Sequence, residues 1–442
     1  MTQQQQKLQA PFAKIVQVAA IARTELRNGA SLNSVIKPVL QRLTPESRPT
    51  AQAIIYESVR KTALSHFILT KLCKNRPTPP VESLLEAALA ALFLQRYADF
   101  TIVSETVNAA KTSAMTRAAA GFVNAVLRRF LREKDTLMAE AERRLDVRFN
   151  APAWWIERMR AVHPAEADRI LELGTRHPPM TLRVNRRLTT VDDYLKILAD
   201  RELIARRVGP DAVMLETPMP VDMIPGFARG MVSVQDAGTQ LAAHLLNVPS
   251  GARVLDACSA PGGKTAHLLE RYDCKMTALE IDKSRTEKVR ETLARLNLQA
   301  DVRTADAGRT ARWWDGRAFD CILLDAPCTA SGVVRRQPDT PWLRRAVDIK
   351  NLASEQHFLL TSLWPLLKKG GRMLYATCSI FPEEGTEQIE CFLKETPDAE
   401  LIPVAGKKML TLLPEENDAW DGHSLIPSVH DGFFYALLQK RS

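Results

Sequence analysis

The run Phe319-Asp320-Cys321-Ile322-Leu323-Leu324-Asp325-Ala326-Pro327-Cys328 constrains this chain more than any other stretch. It starts as a short apolar segment, the pattern of a strand buried on both faces of a parallel sheet, and stops in an acid, a proline and a cysteine. Pro327 cannot donate to a sheet ladder, so it ends the strand and fixes the turn that presents Cys328. Further along, Arg372-Met373-Leu374-Tyr375-Ala376-Thr377-Cys378-Ser379 repeats the plan, a second strand ending in a cysteine. Ligands of open α/β sheets bind beyond the carboxyl ends of the strands. Two thiols delivered to one such edge mark where chemistry is expected.

From Met231 onward, strands and helices alternate. Strands read over Arg253–Cys258, Lys275–Asp282, Ala300–Asp306, Phe319–Asp325 and Arg372–Cys378, and helices over Lys264–Tyr272, Ser284–Asn297 and Trp342–Lys368. Strand-like segments follow at Glu400–Val404 and Phe433–Gln439. The pattern predicts a doubly wound, largely parallel, Rossmann-like α/β domain over residues 231–442. Residues 1–145 read as all-α and rich in alanine. A helical face begins near Pro11 and stops at Gly29, and further helices lie over Thr50–Thr62, Pro80–Tyr97, Phe100–Ser113 and Arg117–Arg132. Pro38 interrupts Val35–Leu43, so that helix is kinked or starts later. Residues 146–230 are expected to hold linker helices and a small α/β subdomain, with strands at Met180–Asn185 and Ala212–Glu216 around a helix at Thr190–Arg201.

Charge is unevenly placed. The first 150 residues hold 22 lysines and arginines against 12 acids, and the remainder 38 against 39. A basic helical front on a neutral back fits a polyanion-binding module attached to something else; the alternative is a solvated surface with no partner. Arg128, Arg129 and Arg132 are placed at the end of their helix, where the dipole or RNA accounts for them equally. Arg183, Arg186, Arg187, Arg206 and Arg207 make the small subdomain a spacer or a second nucleic-acid platform. Cysteines at 73, 258, 274, 321, 328, 378 and 391 are odd in number and lack Cys-x-x-Cys spacing. That argues for free thiols in a reducing cytoplasm, with no metal site. The opening Met-Thr-Gln-Gln-Gln-Gln-Lys has no signal-peptide pattern. The longest apolar run, Leu84–Leu94, is interrupted by Glu86 and is too short to cross a bilayer.

The first strand of the α/β region opens into Asp256-Ala257-Cys258-Ser259-Ala260-Pro261-Gly262-Gly263-Lys264-Thr265. Gly262 and Gly263 let the backbone approach a ligand where a helix begins. The ending Gly263-Lys264-Thr265 imitates a phosphate-binding loop, but Cys258 stands where that loop needs glycine, and G-x-G-x-x-G is absent. Adenosylmethionine remains, its carboxylate and amino group suiting such a loop. Glu280, near the end of the second strand, can accept from a ribose, and Asp306, ending the third, can meet adenine. The thiols point to cytosine. Carbon 5 of that ring is not nucleophilic until a thiolate adds to carbon 6 and makes it enamine-like. A strand-end carboxyl favours addition by bonding the ring nitrogen; a base must then take the carbon 5 proton so that the thiol can leave. Asp325, Cys328 and Cys378 fit those steps, whereas Cys258, Cys274, Cys321 and Cys391 read as small buried hydrophobes.

Taken together, Cys-Ser-Ala-Pro-Gly-Gly-Lys-Thr (258–265), Asp-Ala-Pro-Cys (325–328) and Ala-Thr-Cys-Ser (376–379) resemble the Sun/NOP2 family of RNA cytosine-5 methyltransferases. The helical first third resembles the NusB-like RNA-binding module. The resemblance covers nearly the whole chain, including Gly332-Val333-Val334-Arg335-Arg336-Gln337-Pro338-Asp339 and Asp431-Gly432-Phe433-Phe434. It implies a 16S rRNA (cytosine-C5)-methyltransferase using S-adenosylmethionine, with Cys378 as nucleophile, Cys328 assisting release, Asp325 orienting the cytosine and Lys264 near the active site. It implies cofactor binding by Cys258, Ser259, Ala260, Pro261, Gly262, Gly263, Lys264, Glu280, Asp306 and Asp325, and RNA phosphate contacts by Arg335 and Arg336. Ser259 stands where the family commonly has alanine. The implied substrate is 16S rRNA, protein-free or early in assembly, because the target base must be unstacked to reach Cys378. No DNA, membrane or obligate protein partner is implied. Two other readings stay open: a DNA or transfer RNA cytosine methyltransferase, and a non-catalytic assembly factor of NusB type. In the DNA enzymes of this chemistry, the thiol at the position of Cys328 is the attacking one.

Overall fold

The computed structural model describes residues 12–417 and 419–441. The opening residues read above for a leader, and the helical start at Pro11, lie outside the described residues. The chain divides into two compact units: one runs through Arg176 and includes Val334–Arg345, and the other comprises His177–Val333 and the chain from Ala346 onward.

The first unit is helical. Phe12–Arg27, Leu32–Leu40, Arg48–Arg60, Thr62–Leu72, Pro79–Leu94, Asp99–Thr112 and Ala120–Ala141 share one apolar core, and Leu145–Phe149, Ala153–Val162 and Ala167–Thr175 follow. Every residue from Val81 to Leu92 is buried, Glu82 and Glu86 included. Arg23 Nε lies 2.9 Å from Glu86, and Arg27 pairs with both acids. A core helix tolerates these two carboxylates because each is paired; unpaired, either would be strongly destabilising. Pro38 lies inside Leu32–Leu40, whose start is fixed by Ser31 accepting from Ser34 N. Ala120–Ala141 runs well past Arg132 because Leu137 and Ala141 continue the buried face of Val123, Leu127 and Phe130. Arg128, Arg129 and Arg132 therefore sit in mid-helix, and the dipole account of them is corrected. Arg129 bonds Glu133 at 2.8 Å and the Leu72 carbonyl at 3.2 Å.

Arg335 needs a larger correction. Its segment belongs to this helical unit, where Asp339 Oδ2 accepts from Leu32 N at 2.8 Å and the Arg335 carbonyl accepts from Arg60 Nη2 at 2.7 Å. The Arg335 side chain is 1% exposed, so it is not presented to a phosphate. Arg336 is half-buried.

The second unit carries an antiparallel sheet of β1 (Met180–Val184), β2 (Ala205–Arg207), β3 (Ala212–Leu215) and β4 (Val232–Val234), ordered β2-β3-β1-β4. Helix Val191–Ala199 packs into the same small core through Val191, Tyr194 and Leu198. The larger sheet is built from β5 (Ala252–Asp256), β6 (Cys274–Glu280), β7 (Asp301–Thr304), β8 (Phe319–Asp325), β9 (Leu367–Thr377), β10 (Ala399–Ile402), β11 (Leu410–Leu412) and, past the short pair β12 (Glu415–Glu416) and β13 (Val429–His430), β14 (Phe433–Lys440). Its order is β10-β14-β9-β8-β5-β6-β7, with β11 on β14. Strands β5 to β9 are parallel, and β14 returns antiparallel to β9. The chain winds outward through β6 and β7, then restarts on the other side of β5 with β8. The switch point therefore falls between β5 and β8, where an open sheet leaves a crevice for ligand. The helix expected over Trp342–Lys368 is instead Thr340–Leu343 and Ala346–Leu363, interrupted where the chain passes from one unit to the other.

Arg183 is no nucleic-acid contact either. It is 1% exposed, meets Glu270 through two bonds of 2.8 Å, and donates to the Gly263 carbonyl at 2.8 Å. Cys391, expected to be buried, is exposed on helix Thr386–Glu395. No helix among the described residues is long and apolar enough to cross a membrane.

Asp211 gathers a second buried cluster. Arg271 Nη1 donates to its Oδ2 at 2.7 Å, with His244 Nε2 at 3.0 Å and His267 Nε2 at 3.2 Å. Burial, with Arg183 nearby, lowers the His267 pKa to about 3 despite Asp211. The folded imidazole thus stays neutral while the unfolded one protonates below about pH 6.5, so unfolding takes up a proton and stability falls as pH drops. The expected slope from this residue is about 1.4 kcal/mol per pH unit below that point. Urea denaturation of wild type and His267→Gln between pH 7.5 and 5 checks it: the variant should lose stability at every pH but show the flatter dependence. Equal slopes would remove His267 as the cause.

Candidate active site

At the end of β5 the chain turns through Ala257–Gly262 into helix Gly263–Arg271. Ser259 pins this loop across to β6, its N and Oγ donating to the Leu279 carbonyl at 2.8 and 3.0 Å, and Gly262 N donates to the Ser259 carbonyl at 2.7 Å. Gly262 has φ +96°, and a Cβ there would stand 3.2 Å from Val289 Cα, so the turn requires glycine. Lys264, in the first turn of the helix, reaches the end of β8, with its Nζ 2.7 Å from Asp325 Oδ2. Burial opposes the ammonium, but Asp325 more than compensates and raises its pKa. The Cys258 thiol is pushed well above its ordinary pKa, by burial first and then by the surrounding acids.

Asp256 was not singled out from the sequence. It is fully buried; its Oδ2 accepts from Thr265 Oγ1 at 2.6 Å, while Oδ1 has no protein partner. Burial, with Asp325 nearby, raises its pKa to about 7. Glu280 ends β6, buried, and accepts from Asp282 N at 3.1 Å. Asp306, half-buried past β7, accepts from Gly308 N at 3.0 Å and pairs with Arg309 at 3.2 Å. A helix start with a glycine turn, carboxylates at neighbouring strand ends and a buried unpartnered carboxyl oxygen match a ligand bearing a carboxylate, an ammonium and a ribose. Adenosylmethionine has that set.

The thiols come together for a topological reason. Strands β8 and β9 are neighbours in register, Asp325 opposite Ala376, so the loops that leave them run side by side. Ala326 N donates to the Ala376 carbonyl and Gly332 N to the Cys378 carbonyl, both at 2.9 Å. Cys328 Sγ and Cys378 Sγ end 3.3 Å apart. The contact with Cys378, then burial, pushes the Cys328 thiol well above its ordinary pKa, which keeps it protonated. Cys378 is half-buried, and the Lys264 ammonium interacts with it electrostatically. Gly332 is also held to the turn before β14, by Gly432 N donating to its carbonyl at 2.8 Å, and a Cβ on Gly332 would meet the Gly432 oxygen at 2.3 Å.

Glu384 is a second acid missed from the sequence. It is fully buried, and its carboxyl accepts from Thr329 N (2.8 Å), Thr329 Oγ1 (2.5 Å), Ser379 Oγ (2.5 Å) and Gln356 Nε2 (3.1 Å). The sequence signal was the pair Glu383-Glu384 after Phe381-Pro382, which does not say which acid turns inward. The second unit thus brings together residues 258–264, Glu280, Asp306, Asp325, Cys328 and Cys378 along the carboxyl edge of one sheet; Arg335 and Arg336 fall in the other unit.

Residues 243–439 match the family model 16S rRNA methyltransferase RsmB/F, residues 151–222 the ferredoxin-like domain of RsmF/B-like methyltransferases, and residues 6–132 the NusB family. Proteins named ribosomal RNA small subunit methyltransferase B from Salmonella dublin and Salmonella arizonae are 39% and 38% identical to this chain over 424 residues, 94% of it and 96% of each of them. Of solved structures, that of PH0851 shares the fold, with a TM-score of 0.77 and 24% identity over 96% of this chain and 99% of that one. A methyltransferase homolog protein from Pyrococcus horikoshii has a TM-score of 0.55 and 28% identity, covering 67% of this chain and 97% of its own.

Proposed function

The chain belongs to the 16S rRNA methyltransferase RsmB/F family, and on that premise we propose that it methylates carbon 5 of a cytidine in 16S rRNA, from S-adenosylmethionine, through a covalent Cys378 adduct. The observation that carries this reading is the pair of thiols 3.3 Å apart at the strand ends that also present the Lys264–Asp325 pair. Bound over the 258–264 loop, with Glu280, Asp306 and Asp256 around it, the cofactor supplies an electrophilic methyl on a sulfonium.

Cys378, as thiolate, would donate its electron pair to carbon 6, and the ring electrons displaced toward carbon 5 would form the new bond to the methyl group as the bond between that methyl and the sulfonium breaks, its pair staying on the sulfur of the departing S-adenosylhomocysteine. Asp325, held by Lys264, orients the pyrimidine through its ring-nitrogen edge. The carbon 5 proton then passes to a base, its bonding pair restores the 5–6 double bond, and the S–C6 bond breaks toward sulfur. Cys328, a neutral thiol beside Cys378, is placed to donate a hydrogen bond to that departing sulfur. The basic helical unit serves to hold the RNA, with binding that weakens as salt rises.

Purified protein incubated with methyl-labelled S-adenosylmethionine and deproteinised 16S rRNA, followed by digestion to nucleosides, should place label in 5-methylcytidine. Label in a different nucleoside, or a preference for transfer RNA or DNA, would sink the proposal. RNA retention with no methyl transfer to any nucleic acid would favour the assembly-factor alternative.

A further inference from the structure

We propose that Glu384 is the positioning residue that sets the distance between the two thiols. The residue after Cys328 is Thr329 and the residue after Cys378 is Ser379, and one buried carboxyl binds both. Its Oε2 takes the two hydroxyls, each at 2.5 Å, while Oε1 takes Thr329 N at 2.8 Å. Thr329 and Ser379 come from loops 50 residues apart in sequence, and their Oγ atoms lie 3.3 Å from each other.

The support extends outward without a break. Gln356 Nε2 donates to Glu384 Oε1 at 3.1 Å and to the Pro327 carbonyl, one residue before Cys328, at 2.8 Å. Tyr375 Oη in β9 lies 3.0 Å from Gln356 Oε1 and 2.9 Å from the Glu384 carbonyl, with one proton to share between them. Ser331 Oγ lies 2.9 Å from Ser379 Oγ and accepts from Ile380 N at 2.9 Å. Glu384, Thr329, Gln356 and Tyr375 are fully buried, and Ser379 is 1% exposed, so the network has no water-facing member to let it relax. A carboxyl group costs much to bury, and here its bonds go to Thr329 and Ser379, the residues that follow the two thiols, and to Gln356, which holds the Pro327 carbonyl. Its role in turnover rests on the proposed reaction: a thiol pair out of register would slow adduct formation and release while leaving the cofactor loop intact. A displacement of about 1 Å at a reacting atom is enough to lower kcat on the order of 100-fold.

The test reads thiol spacing directly, without RNA. Wild type, Glu384→Ala, Glu384→Gln and Ser379→Ala, all in a Cys391→Ser background, are treated with dibromobimane, which fluoresces once both arms have alkylated a thiol. Peptide mapping identifies the 328–378 crosslink. Glu384→Ala should form that crosslink about tenfold more slowly or not at all, with adenosylmethionine affinity within about twofold of wild type and kcat, not KM for the cofactor, carrying the loss. Glu384→Gln keeps acceptor and donor sites for Thr329 and Ser379 once the hydroxyls turn, and should recover most of the crosslinking. If Glu384→Ala does not fold, Ser379→Ala removes a single bond to the carboxyl and should show the same slowing in smaller measure. Crosslinking at the wild-type rate in the folded variants overturns the proposal, whether or not wild type methylates rRNA. The expected crosslinking pattern in a protein that transfers no methyl group would leave Glu384 in its role and remove the reaction proposed above.

Discussion

Cys378→Ala is expected to abolish methyl transfer, by on the order of 10⁴-fold or more, as loss of a covalent nucleophile does elsewhere. Cys328→Ala should also fail to turn over, yet in a different way, by holding RNA on the protein. The two thiols touch, so sequence position alone does not rank them; their surroundings do. Cys328 is buried with its pKa pushed well up, which makes it a poor attacking group, whereas Cys378 is more open and has the Lys264 cation in electrostatic reach. On the proposed route, breaking the S–C6 bond would leave charge on the Cys378 sulfur, and the Cys328 thiol, 3.3 Å away, would be placed to donate to it. Each variant is incubated with S-adenosylmethionine and deproteinised 16S rRNA and resolved on a denaturing gel. A slow-migrating protein–RNA band in Cys328→Ala, absent from Cys378→Ala and from the double variant, is the expected pattern. A band that requires Cys328 would reverse the two roles.

The candidate site edge was legible because its signals are local. A buried strand that stops in Asp-Ala-Pro-Cys, and a glycine turn before a helix, declare themselves within ten residues, and the structure places both at the switch point in the parallel part of one sheet. What failed were inferences that depended on a distant partner. Arg183 looked like part of a basic platform because its counter-ion, Glu270, lies 87 residues away on the helix that follows the 257–262 loop. Arg335 looked like an RNA contact because it follows Cys328 closely, but its segment folds with the helical unit and the residue is 1% exposed. The arginines near 130 were assigned to a helix end because the apolar face was traced only to Phe130, while Leu137 and Ala141 carry it on. Glu384 and Asp256 were invisible for a related reason: a buried acid is recognised by what surrounds it, and composition near the motif says only that an acid is present.

Arg183→Met should destabilise the second unit by roughly 3–5 kcal/mol, the usual cost of stranding one member of a buried ion pair. Both partners are 1% exposed at the side chain, so Glu270 would be left as an uncompensated charge that water cannot reach. Arg183→Met with Glu270→Leu removes both charges and fills the space with apolar groups, and should recover most of that loss in urea denaturation. Cofactor affinity should behave differently. Arg183 Nη1 also donates to the carbonyl of Gly263, the residue that opens the helix behind the proposed adenosylmethionine loop, at 2.8 Å. Neither variant restores that bond, so both should bind S-adenosylmethionine more weakly, by about tenfold for a loss near 1.4 kcal/mol. Stability that returns in the double variant while affinity stays low would show that β1 of the small antiparallel sheet supports the catalytic loop through this one side chain. If affinity returned together with stability, the weakening would belong to the stranded Glu270 charge and the Gly263 bond would have no part in holding the loop.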